Sequence, residues 1–279
     1  MRIYQTRSDS GEHVFASEHD GRLLSLETPG ADRPSLPPTE LPDSPIVVGD
    51  FESTPLLAPV RPSKIVAIGL NYLDHIEETG LERPEAPLIF AKFPSSLVGP
   101  SDPIVIDTLV TERVDWEVEL GVVVGERMRH VPESQALDHV FGYTVGNDVS
   151  ARDVQFGDGQ WVRGKSLDTF CPVGPAVVTP DEISDPQALA LQTRVNGEVM
   201  QDSSTSLMLF GIAELLSFCS RNFTLEPGDL LLTGTPWGCG EFMNPKRSLR
   251  PGDVVETEVE GVGLLRNPVV APSRPARLT

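Results

Sequence analysis

A chain of 279 residues and 30.3 kDa can bury a large core, but its formal net charge of -19 offers no basic face, which argues against nucleic acid or an anionic membrane as its main partner. No run approaches the ~18 apolar residues of a membrane span, the start carries no secretory pattern, and Cys171, Cys219 and Cys239 show no metal-type spacing; a cytoplasmic protein in a reduced compartment is expected. With 24 Gly and 26 Pro, many turns between short strands are expected, and a doubly wound α/β fold is disfavoured.

Residues 1–60 read as a small N-terminal β unit, with strands at Met1–Thr6, His13–Ala16 and Arg22–Leu26 and a proline-rich connector around Pro34, Pro37, Pro38, Pro42 and Pro45. The catalytic domain, 61–279, opens on the apolar strand Lys64–Leu70, which ends in a polar turn, Asn71–Gly80. Further strands are expected at Leu88–Lys92, Ile104–Ile106, Trp116–Val124, Phe141–Val149, Gly174–Val178, Leu191–Val195, Asp229–Thr233 and Val254–Val259. One clear helix is expected over Thr205–Arg221, where Leu209, Ile212, Ala213, Leu216 and Cys219 approach a 3.6 period. The expected fold is therefore mainly β, largely antiparallel, with few helices.

Glu117 and Glu119 stand two apart in the run Val114–Val124. Strand side chains alternate, so both carboxylates are expected on one face, with Val118 and Leu120 on the other. Two like charges side by side repel unless they face water or a cation, and the apolar run from Leu120 to Val124, broken only by Gly121, places this strand in a core. Hard oxygen ligands of this kind suit magnesium, manganese or calcium. Asp148, ending the apolar run from Phe141, supplies a third acid if the two strands are neighbours.

His75 follows a buried strand and Glu78 lies three residues on, so one helical turn puts them on a shared face; a carboxylate orienting an imidazole makes a general base. Gly159–Ser166 matches the phosphate-loop pattern, but Asp153–Gly159 before it is polar and two prolines follow where a helix must run, so nucleotide binding is rejected. Lys165 in this loop is a candidate for neutralising an anionic substrate; a surface lysine is the competing reading. Cys171, between Phe170 and Pro172, reads as a buried inert thiol. Serine hydrolase, zinc protease and dinucleotide patterns are missing.

Taken in order, Gly69-Leu-Asn-Tyr-x-x-His75-x-x-Glu78, Phe90-x-Lys-Phe-Pro-Ser-Ser-Leu-Val-Gly-Pro100, Glu117-x-Glu119, Gly146-Asn-Asp-Val-Ser-Ala-Arg-Asp153, Lys165-Ser-x-Asp-Thr-Phe-x-Pro-x-Gly-Pro175 and Thr233-Gly-Thr-Pro236 resemble the fumarylacetoacetate hydrolase family over roughly residues 62–270. The resemblance implies a mixed β-sandwich roll, a homodimer, and Mg2+ or Mn2+, with Ca2+ as a non-native occupant, held by Glu117, Glu119 and Asp148. It further implies that His75 and Glu78 form a water-activating dyad on a lid, bounded here as Asn71–Pro87, that Lys165 lies beside the metal, and that Arg152, Gln155 and Thr235 hold substrate. The longer enzymes of the family add a metal-binding aspartate from the strand before the histidine, and Lys64–Leu70 contains no acid, so the chain resembles the smaller bacterial type.

The expected substrate is a small 2-oxo or 1,3-diketo acid, and the leading expectation is hydrolytic cleavage of a carbon-carbon bond in acylpyruvate-type acids. The alternatives are oxaloacetate decarboxylation and isomerisation of hydroxyheptadienedioate in aromatic catabolism. A metal-binding structural protein is the non-enzymatic alternative, against which the intact His75 and Glu78 argue.

Overall fold

The structure, a computed structural model, describes residues 1–8, 10–26 and 36–273, so Pro34 of the expected connector lies outside it. Four short strands begin the chain: β1 (Arg2–Arg7), β2 (His13–His19), β3 (Arg22–Ser25) and β4 (Val47–Asp50). Then come β5 (Ile65–Gly69), helix α1 (Leu73–Thr79), β6 (Leu88–Lys92), β7 (Leu97–Val98), β8 (Ile104–Val105), β9 (Val114–Asp115) and β10 (Val118–Val124). The middle of the chain forms α2 (Glu133–Ala136), β11 (Val140–Asn147), β12 (Ser150–Ala151), α3 (Arg152–Asp158), α4 (Val162–Lys165) and β13 (Cys171–Val178). The last elements are β14 (Ala190–Val195), β15 (Glu198–Ser204), α5 (Ile212–Asn222), β16 (Leu230–Leu232), β17 (Val254–Val259) and β18 (Gly263–Val270).

The expected β-rich fold with few helices is what forms. The large sheet runs β4-β3-β2-β1-β13-β11-β10-β16-β5-β6, with β7 beside β13, and a five-stranded sheet runs β15-β14-β17-β18-β8. Pairing is mostly antiparallel, and β16 with β5, β13 with β7 and β18 with β8 are parallel. One face of the large sheet, through Leu120, Val122, Tyr143 and Val145, packs against Leu191, Val259 and Leu265 of the smaller sheet and Leu215, Leu216 and Cys219 of α5. The other face buries Val123, Leu230, Leu232, Ile65, Phe90 and Cys171. All seven residues of β10 are buried, which follows from its two covered faces and its valine-rich sequence.

Three expectations are corrected by how backbone donors are used. The long helix begins at Ile212, not Thr205, because the Leu209 and Phe210 N–H groups donate to the main-chain and side-chain oxygens of Asn71. The polar turn after Gly69 is helix α1, which stops at Gly80, where φ of 66° suits a residue without a Cβ. The strand expected over Trp116–Val124 is interrupted: the N–H groups of Trp116, Glu117 and Val118 donate to Asp115, Asn147 and Gln201 side chains, leaving Trp116 and Glu117 outside any strand. The polar stretch after Ala151 is likewise a helix, α3, and β4, β15 and β18 were not anticipated.

Candidate active site

Glu119 lies in β10, opposite Gly146 of β11, and Asp148 follows directly after Asn147, the last residue of that neighbouring strand. Glu117 joins them from the break before β10, so the two glutamates converge although only one of them is in a strand. Ligand oxygens of Glu117, Glu119 and Asp148 all lie within 4.8 Å of one another, and all three residues are buried. Around them stand two buried lysines. Lys165 Nζ donates to Glu117 Oε2 at 2.5 Å and to Asp148 Oδ2 at 2.8 Å. Lys92 Nζ donates to Asp148 Oδ1 at 2.6 Å and to the Lys165 main-chain oxygen.

These contacts divide the carboxylates. Burial pushes the Glu117 carboxyl up, but Lys165 and Arg152 outweigh it and hold the group at about 2. Glu119 is raised well above its ordinary value, first by burial and then by the charges of Asp148 and Glu117. Its Oε2 accepts a bond from the Gly234 N–H at 2.8 Å, and no described residue bonds Oε1. A buried carboxyl with no ion-pair partner among the described residues, beside two of its own kind, is the observation that tests a metal here. Hard oxygen donors and an uncompensated negative charge fit a divalent cation, with Glu117, Glu119 and Asp148 as its holders. Lys165, whose competing reading was surface exposure, is 2% exposed.

His75 and Glu78 share a face of α1 as their spacing required. The His75 Nδ1–H donates to Glu78 Oε2 at 2.9 Å; a carboxylate only accepts, so this contact fixes the tautomer and leaves Nε2 as the basic nitrogen of the neutral ring. No described residue bonds Nε2. Glu78 is itself held, because its Oε1 accepts a bond from the Gly238 N–H at 2.9 Å. The Phe242 ring meets the imidazole edge to face at 5.5 Å. One cavity of about 60 Å³ is lined by His75, Glu117, Glu119 and Lys165 together with Arg152, Gln155 and Thr235, and walled by Leu70, Phe90, Trp161 and Phe242.

The three residues expected to hold substrate therefore line the same cavity, with unequal freedom. The Arg152 guanidinium is occupied by Asp115, by Glu117 at 2.7 Å and by the Gln155 amide oxygen at 3.0 Å. The Gln155 amide nitrogen has no partner among the described residues. The Thr235 hydroxyl donates to the Val118 carbonyl and accepts from Gln201. The cysteines behave as inert thiols: burial raises Cys171 and Cys219 to about 12 and Cys239 well above its ordinary value.

Two residues of the site were assigned no part from sequence. Lys92 is 1% exposed at the end of an apolar strand, and a lone lysine closing the run Leu88–Lys92 was the available signal that a buried anion awaited it. Asp115, 1% exposed between Val114 and Trp116, carried the same kind of signal.

Comparison with known proteins places this site in a family. The model described as "Fumarylacetoacetate (FAA) hydrolase C-terminal" matches residues 64–270. Oxaloacetate tautomerase fahd2 of Xenopus laevis, mitochondrial by name, is 50% identical over 218 residues, covering 77% of this chain and 68% of that protein. Among solved structures, a fumarylacetoacetate hydrolase from Exiguobacterium antarcticum superposes with a TM-score of 0.87 at 40% identity, over 98% of this chain and 100% of the other. A 2-hydroxyhepta-2,4-diene-1,7-dioate isomerase from Mycobacterium marinum gives a TM-score of 0.80 at 39% identity over the same shares. With the family model covering residues 64–270 and the fold shared over nearly the whole chain, the chain is an enzyme belonging to the fumarylacetoacetate hydrolase family.

Proposed function

We propose that this enzyme is a divalent-metal-dependent isomerase of small 2-oxo acids that moves a proton between carbon and oxygen, as in the keto–enol interconversion of oxaloacetate. The observation that carries the reading is His75: its ring is oriented by Glu78 through Nδ1, and its Nε2 is free beside the carboxylate centre. The relatives named as an oxaloacetate tautomerase and a hydroxyheptadienedioate isomerase support it, and a cavity of about 60 Å³ suits a short acid.

In this reading His75 Nε2 takes the proton from the carbon next to the 2-oxo group, the pair of that bond forms the carbon-carbon double bond as the carbonyl π pair moves onto the 2-oxo oxygen, and the proton is then returned to that oxygen to give the enol; the reverse runs the same steps backward. The Lys165 ammonium donates a hydrogen bond to the charge that grows there. Glu78 holds the imidazole in the required tautomer and stabilises it once it carries the proton. The Gln155 amide and Arg152 orient the substrate, and Phe242, packed against the imidazole, keeps bulk water from that side of the ring. A cation held by Glu117, Glu119 and Asp148 supplies Lewis-acid stabilisation of negative charge on substrate oxygens. We extend the proposal to magnesium or manganese as that cation and to a homodimer, both implied by the family resemblance, and to a cytoplasmic location, which rests on the sequence reading alone.

A second reading is hydrolysis of acylpyruvate-type acids, favoured by the same His75–Glu78 contact, because an oriented imidazole equally removes a proton from water. Hydroxide then adds to the distal carbonyl, the adjoining carbon-carbon bond breaks, and its electrons move to the 2-oxo oxygen.

The test uses metal-stripped protein with magnesium or manganese restored. Oxaloacetate is followed for loss of its enol form and for pyruvate, and acetylpyruvate for pyruvate. Metal-restored loss of the enol without pyruvate supports the isomerase. Pyruvate from acetylpyruvate supports the hydrolase and displaces the first reading; pyruvate from oxaloacetate identifies a decarboxylase.

A further inference from the structure

We propose that Asp115 is a positioning residue that locks the loop 236–242 and Arg152 to the carboxylate centre, and through that loop sets Glu78 and His75. The proposal rests on the reading of His75 and Glu78 as the acid–base pair. Asp115 is 1% exposed and does not line the cavity, so it acts only through others. Both of its oxygens are fully used. Oδ1 accepts from the Trp116 N–H at 2.9 Å and the Gly240 N–H at 2.8 Å. Oδ2 accepts from the Glu241 N–H at 3.1 Å and from Arg152 Nε at 2.8 Å.

The neighbouring side chain grips the same loop. The Trp116 indole N–H donates to the Gly238 carbonyl at 3.0 Å, and a Cβ at Gly240 would stand 2.8 Å from that indole and 2.4 Å from the Arg247 carbonyl, so the loop is seated without slack. That loop delivers two groups to the acid–base pair: the Gly238 N–H on Glu78 and the Phe242 ring against His75. Arg152 lies over the same ring, its guanidinium carbon 5.8 Å from the centroid. Asp115 is also only two residues from Glu117. One carboxylate therefore ties together pieces that the fold brings from β9, α3 and the loop after β16. A plain core ion pair with Arg152 would need neither the Gly240 nor the Glu241 bond.

Asp115→Asn keeps the shape but turns an NH2 group toward either the Gly240 N–H or the guanidinium, donor against donor. Amide hydrogen exchange is compared over 73–79, 236–242 and, as a control, 212–222. The expected result is exchange faster by about tenfold in the first two segments and unchanged in the control. In turnover, kcat is expected to fall by about 100-fold, with KM moving far less, as a displaced acid–base pair requires. Trp116→Phe, which removes the indole hydrogen bond and part of the ring packed on Gly240, is expected to give the same pattern more weakly, and it carries the test alone if the aspartate variant does not fold. Loosening of 236–242 without 73–79, or equal loosening of all three segments, overturns the proposal. The exchange comparison needs no substrate, so failure of the wild type to turn over any 2-oxo acid would count against the acid–base reading and leave the clamp to be judged by exchange.

Discussion

The carboxylate centre and the acid–base pair face one cavity but rest on unlike supports. Glu119 issues from a central strand buried on both faces and Asp148 from the residue just past its paired neighbour, whereas His75 and Glu78 ride on a seven-residue helix, α1. That helix is too short to persist by itself. It is held at its start by the Asn71 bonds and by Ser203 on Asp74, and at its end by Gly238 on Glu78; directly beyond Gly80, Leu81 is 55% exposed. Charge is thus fixed by the sheet, and proton transfer is assigned to an element fastened by a few replaceable bonds. Substitutions on the two sides should differ in kind.

The largest effect is expected at the sheet side. Glu119→Gln should lower metal-dependent turnover by about 1,000-fold or more, the loss of about 4 kcal/mol of charge stabilisation, and abolish the melting-temperature rise caused by manganese. The metal-free variant should melt higher than the metal-free wild type near neutral pH, because folding no longer requires the Glu119 carboxyl to take up a proton. His75→Ala comes next, with a loss of about 100-fold or more in proton transfer and unchanged manganese binding by calorimetry. If oxaloacetate decarboxylation is measurable, it should suffer less, since loss of carbon dioxide needs no such base. Equal loss of both activities would remove the division of labour between the two sides.

The next expectation concerns pH. The Glu119 carboxyl is raised in the folded protein from an ordinary value of 4.5, so between that value and its raised one the metal-free folded state holds a proton that the unfolded chain has lost. Stability of the metal-free protein therefore falls as pH rises through this window. Metal must displace the proton, so the manganese-induced rise in melting temperature should be larger in mildly alkaline than in mildly acidic buffer; a pH-independent rise would contradict the uncompensated Glu119. The smallest effect is expected at Gly80→Ala. Nothing stands within 4 Å of the added methyl, so the cost is that of the left-handed backbone alone, about 1 kcal/mol, read as protease sensitivity confined to 71–87. Adding metal and oxalate should reduce that sensitivity, and no reduction would remove the idea of a lid.

Much of this was legible in the sequence. Apolar runs such as Leu120–Val124 mark strands because burial leaves them little choice, and a three-residue spacing was enough to pair His75 with Glu78. What escaped was decided by bonds between distant residues. The start of α5 depends on Asn71, some 140 residues away, and the break before β10 depends on Asn147 and Gln201. Neither partner leaves a mark in the local pattern. Lys92 escaped because a lysine closing an apolar run serves a solvated strand end as well as a buried anion, and only the fold shows an aspartate opposite it.

The presence of Lys92 decides whether the field that an incoming substrate meets can be brought to neutral. Four buried carboxylates, those of Asp115, Glu117, Glu119 and Asp148, are opposed by Lys92, Lys165 and Arg152, leaving one surplus negative charge. A proton on Glu119 cancels that surplus; a dication in its place converts it to one positive charge. With the Glu78 carboxylate beside the neutral His75 counted as well, the pocket carries one negative charge when Glu119 holds a proton and none when a dication replaces it, so the dication lifts a repulsion that an organic anion would otherwise meet. Without Lys92 one negative charge would persist even with the dication in place.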